Sequence, residues 1–360
     1  MGRDIGVKLS CVWHVTACGV LVALSGCAFD AASMPDGVDA EPAADAQQAL
    51  IPFDPDKGCD PAKYTACYLQ SSGPTADFKV KMYECPATAS GSKLEANCQV
   101  EAGWTLIGGG GQILDAAVGD VLLTSSRPRD TTSADSLYND RTWHISTEST
   151  GAAHNHRVVV HAIAMRMKGY DNVNKIAPIT LRGGTWSPFD IHPHAAVKVP
   201  STDILLGGGW LSTGDVEGPQ DSRYMAIVDA YATAGLDGTL RNGTWTINGS
   251  STIAILKESI VPYAISVRAC PLEWSSCFSA SQIIATKSTT GSGTRAASAL
   301  NTNSGYYTTG VGAISSSYLR PIFRFRPLRP QADDFGGGHA ATFDDGEAGY
   351  VKVQALTLAR

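Results

Sequence analysis

Two histidine pairs are the first groups in this chain that could do chemistry. His154 and His156 flank Asn155, and His192 and His194 flank Pro193. Residues two apart on a strand point to one face, and two imidazoles on one face are a start toward a transition-metal site. The intervening Asn155 and Pro193 favour polar loops with surface histidines instead. Carboxylates form the second group. Asp190, Asp203, Asp215, Glu217 and Asp229 could supply the paired carboxyls of a polysaccharide hydrolase, which sit about 5 to 10 Å apart. Asp333, Asp334, Asp344, Asp345 and Glu347 offer oxygens of the kind calcium takes, or simply solvated turns. The third group is aromatic. Tyr170, Trp186, Trp274, Tyr306 and Tyr307 lie between the regular stretches and are candidates to hold a sugar or a protein partner. Trp104, Trp143 and Trp245 lie within those stretches and belong in the core. Arg320, Arg324, Arg326 and Arg329 alternate around Phe323 and Phe325, as on a strand with one charged face.

Motifs that would settle an enzymatic class are absent from the sequence. It has no Gly-x-Ser-x-Gly elbow, His-Glu-x-x-His pair, phosphate-binding Lys-Ser/Thr loop or EF-hand loop. No cofactor is implied. A formal net charge of −6 over 360 residues does not favour nucleic acid or an anionic membrane surface.

The elements that must position these groups follow a repeat. Gly108, Gly207 and Gly310 each open a glycine-rich stretch, and they stand 99 and 103 residues apart. Self-similarity at a fixed period signals an architecture of stacked units. After each glycine stretch comes a short apolar run, then a run holding Trp143 or Trp245 (residues 340–343 in the third unit), then a closing run at 157–167, 262–268 or 350–358. These runs are short, β-prone and separated by Gly, Ser, Thr and Asn, with no long helical periodicity. Glycine inside a strand weakens it, so it persists where a strand bends or another backbone approaches. The expected fold is therefore all-β: three similar repeats in a pseudo-threefold, prism-like arrangement, with tandem β-sandwiches as the alternative. The repeats are placed at residues 59–169, 170–270 and 271–360. The long connections at 170–198 and 271–307 favour the alternative.

The first 58 residues read differently. Arg3 and Lys8 precede an apolar run from 11 to 24, too short to span a bilayer as a mature helix, which takes about 20 residues. Residues 1–26 read as a signal peptide. The stretch 27–58, rich in Ala, Asp and Pro, reads as a disordered tether. Of nine cysteines, Cys11 and Cys18 lie in the signal. Beyond residue 58 there are six: Cys59, Cys67, Cys85, Cys98, Cys270 and Cys277. An even number in an exported chain favours disulfides, and sequence neighbours suggest Cys59–Cys67, Cys85–Cys98 and Cys270–Cys277.

Leu24-Ser25-Gly26-Cys27 resembles the bacterial lipobox, in which the cysteine becomes the lipidated first residue. That resemblance implies a lipid anchor at Cys27. Ala28, rather than Asp, implies the outer membrane by similarity to the sorting of enterobacterial lipoproteins. The triple glycines, Ser126-Arg127-Pro128, Trp143 or Trp245 and Tyr263-Ala264-Ile265 resemble a small β module common in exported bacterial proteins. There the module often begins Cys-Pro-x-Gly and ends Tyr-Ala-x-Cys; the second repeat has Val199 and Ser266 near those places. Gly183-Gly184-Thr185-Trp186 and the triplication are also similar to vitelline-membrane outer-layer proteins, although the cysteine pattern differs. The similarity implies three sheets about a pseudo-threefold axis. The expected function is a surface-tethered binding or adhesion lipoprotein, its ligand a glycan or a protein, with a polysaccharide hydrolase or a purely structural envelope protein as alternatives.

Overall fold

A glycine in mid-strand gives up side-chain packing, so its neighbours should show what it makes room for. The computed structural model describes residues 59–70, 77–115, 121–129, 141–149, 155–170, 178–212, 225–251, 257–272, 274, 277–279, 283–293, 296–302, 306–317, 322–328, 337–342 and 349–359. The signal peptide, Cys27 and the tether lie outside them. The described residues all belong to one compact unit, Pro52–Arg360. Among them there is no helix.

After β1 (Ala66–Gln70) the first segment holds β2 (Phe78–Glu84), β3 (Lys93–Gln99), β4 (Thr105–Leu114), β5 (Val121–Pro128), β6 (Thr142–Ser149) and β7 (Arg157–Met167). The second holds β8 (Ile179–Gly183), β9 (His194–Lys198), β10 (Asp203–Ser212), β11 (Met225–Thr233), β12 (Thr244–Ser251) and β13 (Ile260–Arg268). The third holds β14 (Ile283–Gly293), β15 (Ala297–Asn301), β16 (Tyr306–Ser315), β17 (Ile322–Leu328), β18 (Gly337–Thr342) and β19 (Gly349–Ala359). The long connections expected at 170–198 and 271–307 thus carry β8, β9, β14 and β15.

These strands form three antiparallel sheets, ordered β1-β2-β7-β4-β17-β18-β15, β3-β6-β5-β10-β13-β8 and β14-β19-β16-β11-β12-β9. Independent sandwiches would keep each sheet within one segment, and none of the three is so confined. Every sheet joins strands of two segments, always where a glycine strand meets the strand after another segment's glycines. The joining pairs are β4 with β17, β10 with β5 and β16 with β11. Their registers correspond: Phe325 faces Gly111, Ser126 faces Trp210 and Ala230 faces Ala313. The closing strands β7, β13 and β19 lie inside their sheets, which explains why most of their residues are buried and largely apolar.

The glycines make room for one another. A Cβ added to Gly108 would lie 2.6 Å from Thr309 O, one on Gly207 2.6 Å from Ile107 O, and one on Gly310 2.5 Å from Leu206 O. Each of those carbonyls belongs to the residue just before the first glycine of its own strand, where the ladder to the closing strand shifts register. A bulge there bends the strand and aims a carbonyl at the next strand's glycine. The contacts form a cycle: β4 onto β16, β16 onto β10, β10 onto β4. Thr309 Oγ1 also donates to Leu206 O at 2.8 Å.

The middle glycine of each triplet meets an indole. A Cβ at Gly109 would collide with Trp143, and one at Gly208 with Trp245. Both tryptophans are fully buried, and they pair with Pro128 and Ala232 at corresponding registers. In the third segment Pro327 pairs with Gly338, not with the residues at 340–343 that the sequence places there. Gly338 abuts Val311, which stands where Gly109 and Gly208 stand. The large and small partners have changed places. Asn242, in the turn before β12, takes a left-handed φ of 56°. Disulfides join Cys59 to Cys67, Cys85 to Cys98 and Cys270 to Cys277.

Candidate functional site

The stretch between β8 and β9 is held to the sheet along its length. Gly184 N donates to Pro262 O at 2.8 Å, Ser187 N to Ile260 O at 2.8 Å and Asp190 N to Glu258 O at 2.9 Å. Ser187 is buried, and its hydroxyl accepts from Ile260 N at 3.0 Å, while Ser259 Oγ donates to Ser187 O at 2.7 Å. Gly184 is needed because a Cβ would meet the Pro262 ring at 2.6 Å. Between these anchors Trp186 is 44% exposed and Phe189 60% exposed. Large aromatics usually bury their faces. A fixed backbone carrying two exposed rings loses little freedom on binding, which favours its use as a contact surface. Trp186 was legible in the sequence. Phe189 was missed, and its one signal is the proximity of a second aromatic across Ser187-Pro188.

The other candidate aromatics have structural occupations. Tyr307 is 1% exposed and meets Phe78 edge-on at 5.3 Å, so it has no face to offer a ligand. Trp274 packs on Phe278 at 4.9 Å and stacks on Phe78 at 6.5 Å, and its Nε1 donates to Lys168 O at 3.0 Å. It caps the core beside the Cys270–Cys277 loop. Tyr306 is half-buried at the start of β16, opposite Ala359. Tyr170 packs partly buried against the core.

The histidines are dispersed among different tasks. His154 lies outside the described residues. His156 is fully buried, and its Nε2 hydrogen-bonds Thr147 Oγ1 at 2.7 Å. His192 is exposed, with its backbone N donating to Asp190 Oδ1 at 3.2 Å. His194, exposed on β9, pairs through Nδ1 with Asn248 Oδ1. Among the described residues no group of three or more His, Cys, Asp or Glu stands close enough to hold a metal ion.

Of the hydrolase carboxylates, Asp215 and Glu217 lie outside the described residues, as do Asp333, Asp334, Asp344, Asp345 and Glu347. Asp203 is buried, accepting from Ser266 Oγ at 3.1 Å, with Arg182 Nη2 at 3.7 Å. Asp229 accepts from Asn248 Nδ2 at 2.7 Å and from Ser315 N at 2.8 Å. Burial raises its carboxyl above the usual range despite those two donors. Asp203 and Asp229 sit on strands of different sheets; both tie structure together rather than facing a common cleft. Asp190 is exposed beside the Trp186 stretch. Arg320 and Arg329 are outside the described residues, and Arg326 is buried while Arg324 is half-buried. The strand there does not present the fully charged outer face expected of it.

No protein-family model matches this chain, and no curated protein matches it.

Proposed function

We propose that this protein is an exported, lipid-anchored binding module that presents Trp186 and Phe189 to a glycan or a protein at the bacterial cell surface. The observation that carries this is the pinned stretch 184–190, which holds two aromatic rings in solvent on a backbone fixed to β13. The lipobox at Cys27 and the tether at 27–58 supply the anchor and the reach. The three disulfides suit an oxidising compartment outside the cytoplasm. The outer membrane is the expected site, from Ala28. The body that carries the surface is, on this reading, a pseudo-threefold, prism-like assembly of three repeats, supported by the corresponding strand orders of its sheets.

The test pairs localisation with binding. Cys27→Ser should move the protein from the membrane fraction to the soluble one. The wild-type protein should bind members of a glycan or surface-protein array, and Trp186→Ala with Phe189→Ala should abolish that binding while thermal unfolding stays unchanged. Equal partition of the Cys27→Ser form would remove the anchor. Binding that survives both aromatic substitutions would remove the surface.

A further inference from the structure

A cavity of about 270 Å³ lies where the Cys59–Cys67 loop meets the connection between β3 and β4. Its volume falls just below the range of about 300–1,000 Å³ that suits drug-sized ligands, so it fits a single ring. Four charged residues line it: Asp60, Lys63, Glu101 and Arg141. Three of these are neutralised locally. Lys63 Nζ lies 3.7 Å from Asp60 Oδ2. Glu101 Oε2 accepts from Lys81 Nζ at 2.7 Å; that ammonium is buried and also lies 5.4 Å from the Tyr83 ring and 5.7 Å from the Trp104 ring. Arg141 is half-buried and has no acidic partner among the described residues. The floor is Tyr64, 5% exposed, whose hydroxyl donates to Gln99 O at 2.6 Å. Burial, with the charges of Glu101 and Asp60, pushes that phenol up to about 12, so it stays neutral.

The balance of charge selects the ligand. With the pairs Asp60–Lys63 and Glu101–Lys81 cancelled, one positive charge is left, on Arg141. A zwitterion would not offset it. A doubly charged phosphate would set its second charge against Asp60 and Glu101. A monocarboxylate leaves the site neutral, and the planar guanidinium fork suits a carboxylate's two oxygens. The carboxylate oxygens of Asp60 and Glu101 keep lone pairs beyond those used by their cations, and these accept from hydroxyl groups. We propose that this cavity binds a uronate, a sugar ring with one carboxylate, which Arg141 takes by its acid group while Asp60 and Glu101 take its hydroxyls. The site is separate from the Trp186 stretch and needs neither that surface nor the lipid anchor.

The experiment is a titration of the intact chain with sodium glucuronate, glucose and acetate, followed by calorimetry or NMR. Glucuronate should bind saturably and at least tenfold more tightly than either of the others. Arg141→Gln should weaken glucuronate at least tenfold. Arg141→Lys, which keeps the charge but loses the fork, should fall between. Trp186→Ala should leave glucuronate binding unchanged, which separates this site from the proposed surface. Absence of saturable glucuronate binding would overturn the proposal. So would acetate binding as tightly as glucuronate, since that marks a bare anion hole. Equal affinity in wild type, Arg141→Gln and Arg141→Lys would overturn it as well, as would loss of binding in Trp186→Ala alone.

Discussion

Trp143, Trp245 and Gly338 occupy corresponding register positions, yet they are not equivalent in energy. Trp143 Nε1 donates to Ser126 Oγ at 3.1 Å, whereas the buried Trp245 Nε1 has no hydrogen-bond partner among the described residues. A buried donor left unpaired costs about 1–3 kcal/mol. Trp143→Ala should destabilise by about 3–5 kcal/mol, the usual result of emptying an aromatic core site. Phenylalanine separates the two sites: Trp143→Phe should cost more than Trp245→Phe by about 1 kcal/mol, because only the first loses a hydrogen bond. Urea unfolding of the three single variants checks both statements. At this scale the sequence was partly legible. The two tryptophans stood out as core because they recur after the glycines. The third site was misplaced because both partners had changed together, Gly to Val311 and Trp to Gly338. A compensating exchange of that kind removes the landmark by which the position is recognised. Tyr307 was misread for a different reason: it is the second residue of a strand, beside the half-buried Tyr306, and its burial against Phe78 comes from tertiary packing.

Among the elements, the strands with strong signals were those inside the sheets. All six edge strands were missed, β1, β8 and β14 as well as β3, β9 and β15. The last three, KLEANCQ, HAAVK and ASALN, are rich in Ala and polar residues with low β propensity. They become strands by pairing with β6, β12 and β18. Short edges with exposed charges, as in β3 and β9, also discourage pairing with another molecule. The β17–β18 ladder carries a pH-dependent prediction. His339 pairs with Arg326 across the ladder. Burial, aided by the positive charges of Arg324 and Arg326, lowers its imidazole from the ordinary 6.5 to about 3. Between those two values the unfolded chain takes up a proton that the folded chain refuses. The stability is therefore full above pH 6.5 and is lost as pH falls toward about 3. His339→Gln should flatten that loss, so melting curves of the two proteins at pH 7 and pH 4 should show the smaller drop in the variant. An equal drop in both would assign the acid sensitivity to other groups.

At the scale of the whole molecule, the three glycine strands and the three shared sheets make each segment depend on the other two. The sequence period and the apolar closing strands made the all-β class legible. The sharing of sheets between segments was not, because the joints rest on two register pairs each, and those pairs use residues as unlike as Gly111, Trp210 and Ala313. Nothing in their chemistry marks them as counterparts. Removal of the third segment would take β17, β18 and β15 from the first sheet and β14, β19 and β16 from the third. It would also withdraw the Thr309 carbonyl from Gly108 and expose the apolar face of β4 and β10. The most direct measurement is equilibrium unfolding of a chain ending at residue 270, compared with the intact protein. Shared sheets require that the shortened chain lose the cooperative transition and the near-ultraviolet signal of its buried tryptophans. A shortened chain that unfolds cooperatively, at the midpoint of the intact protein, would contradict the interdependence of the three segments.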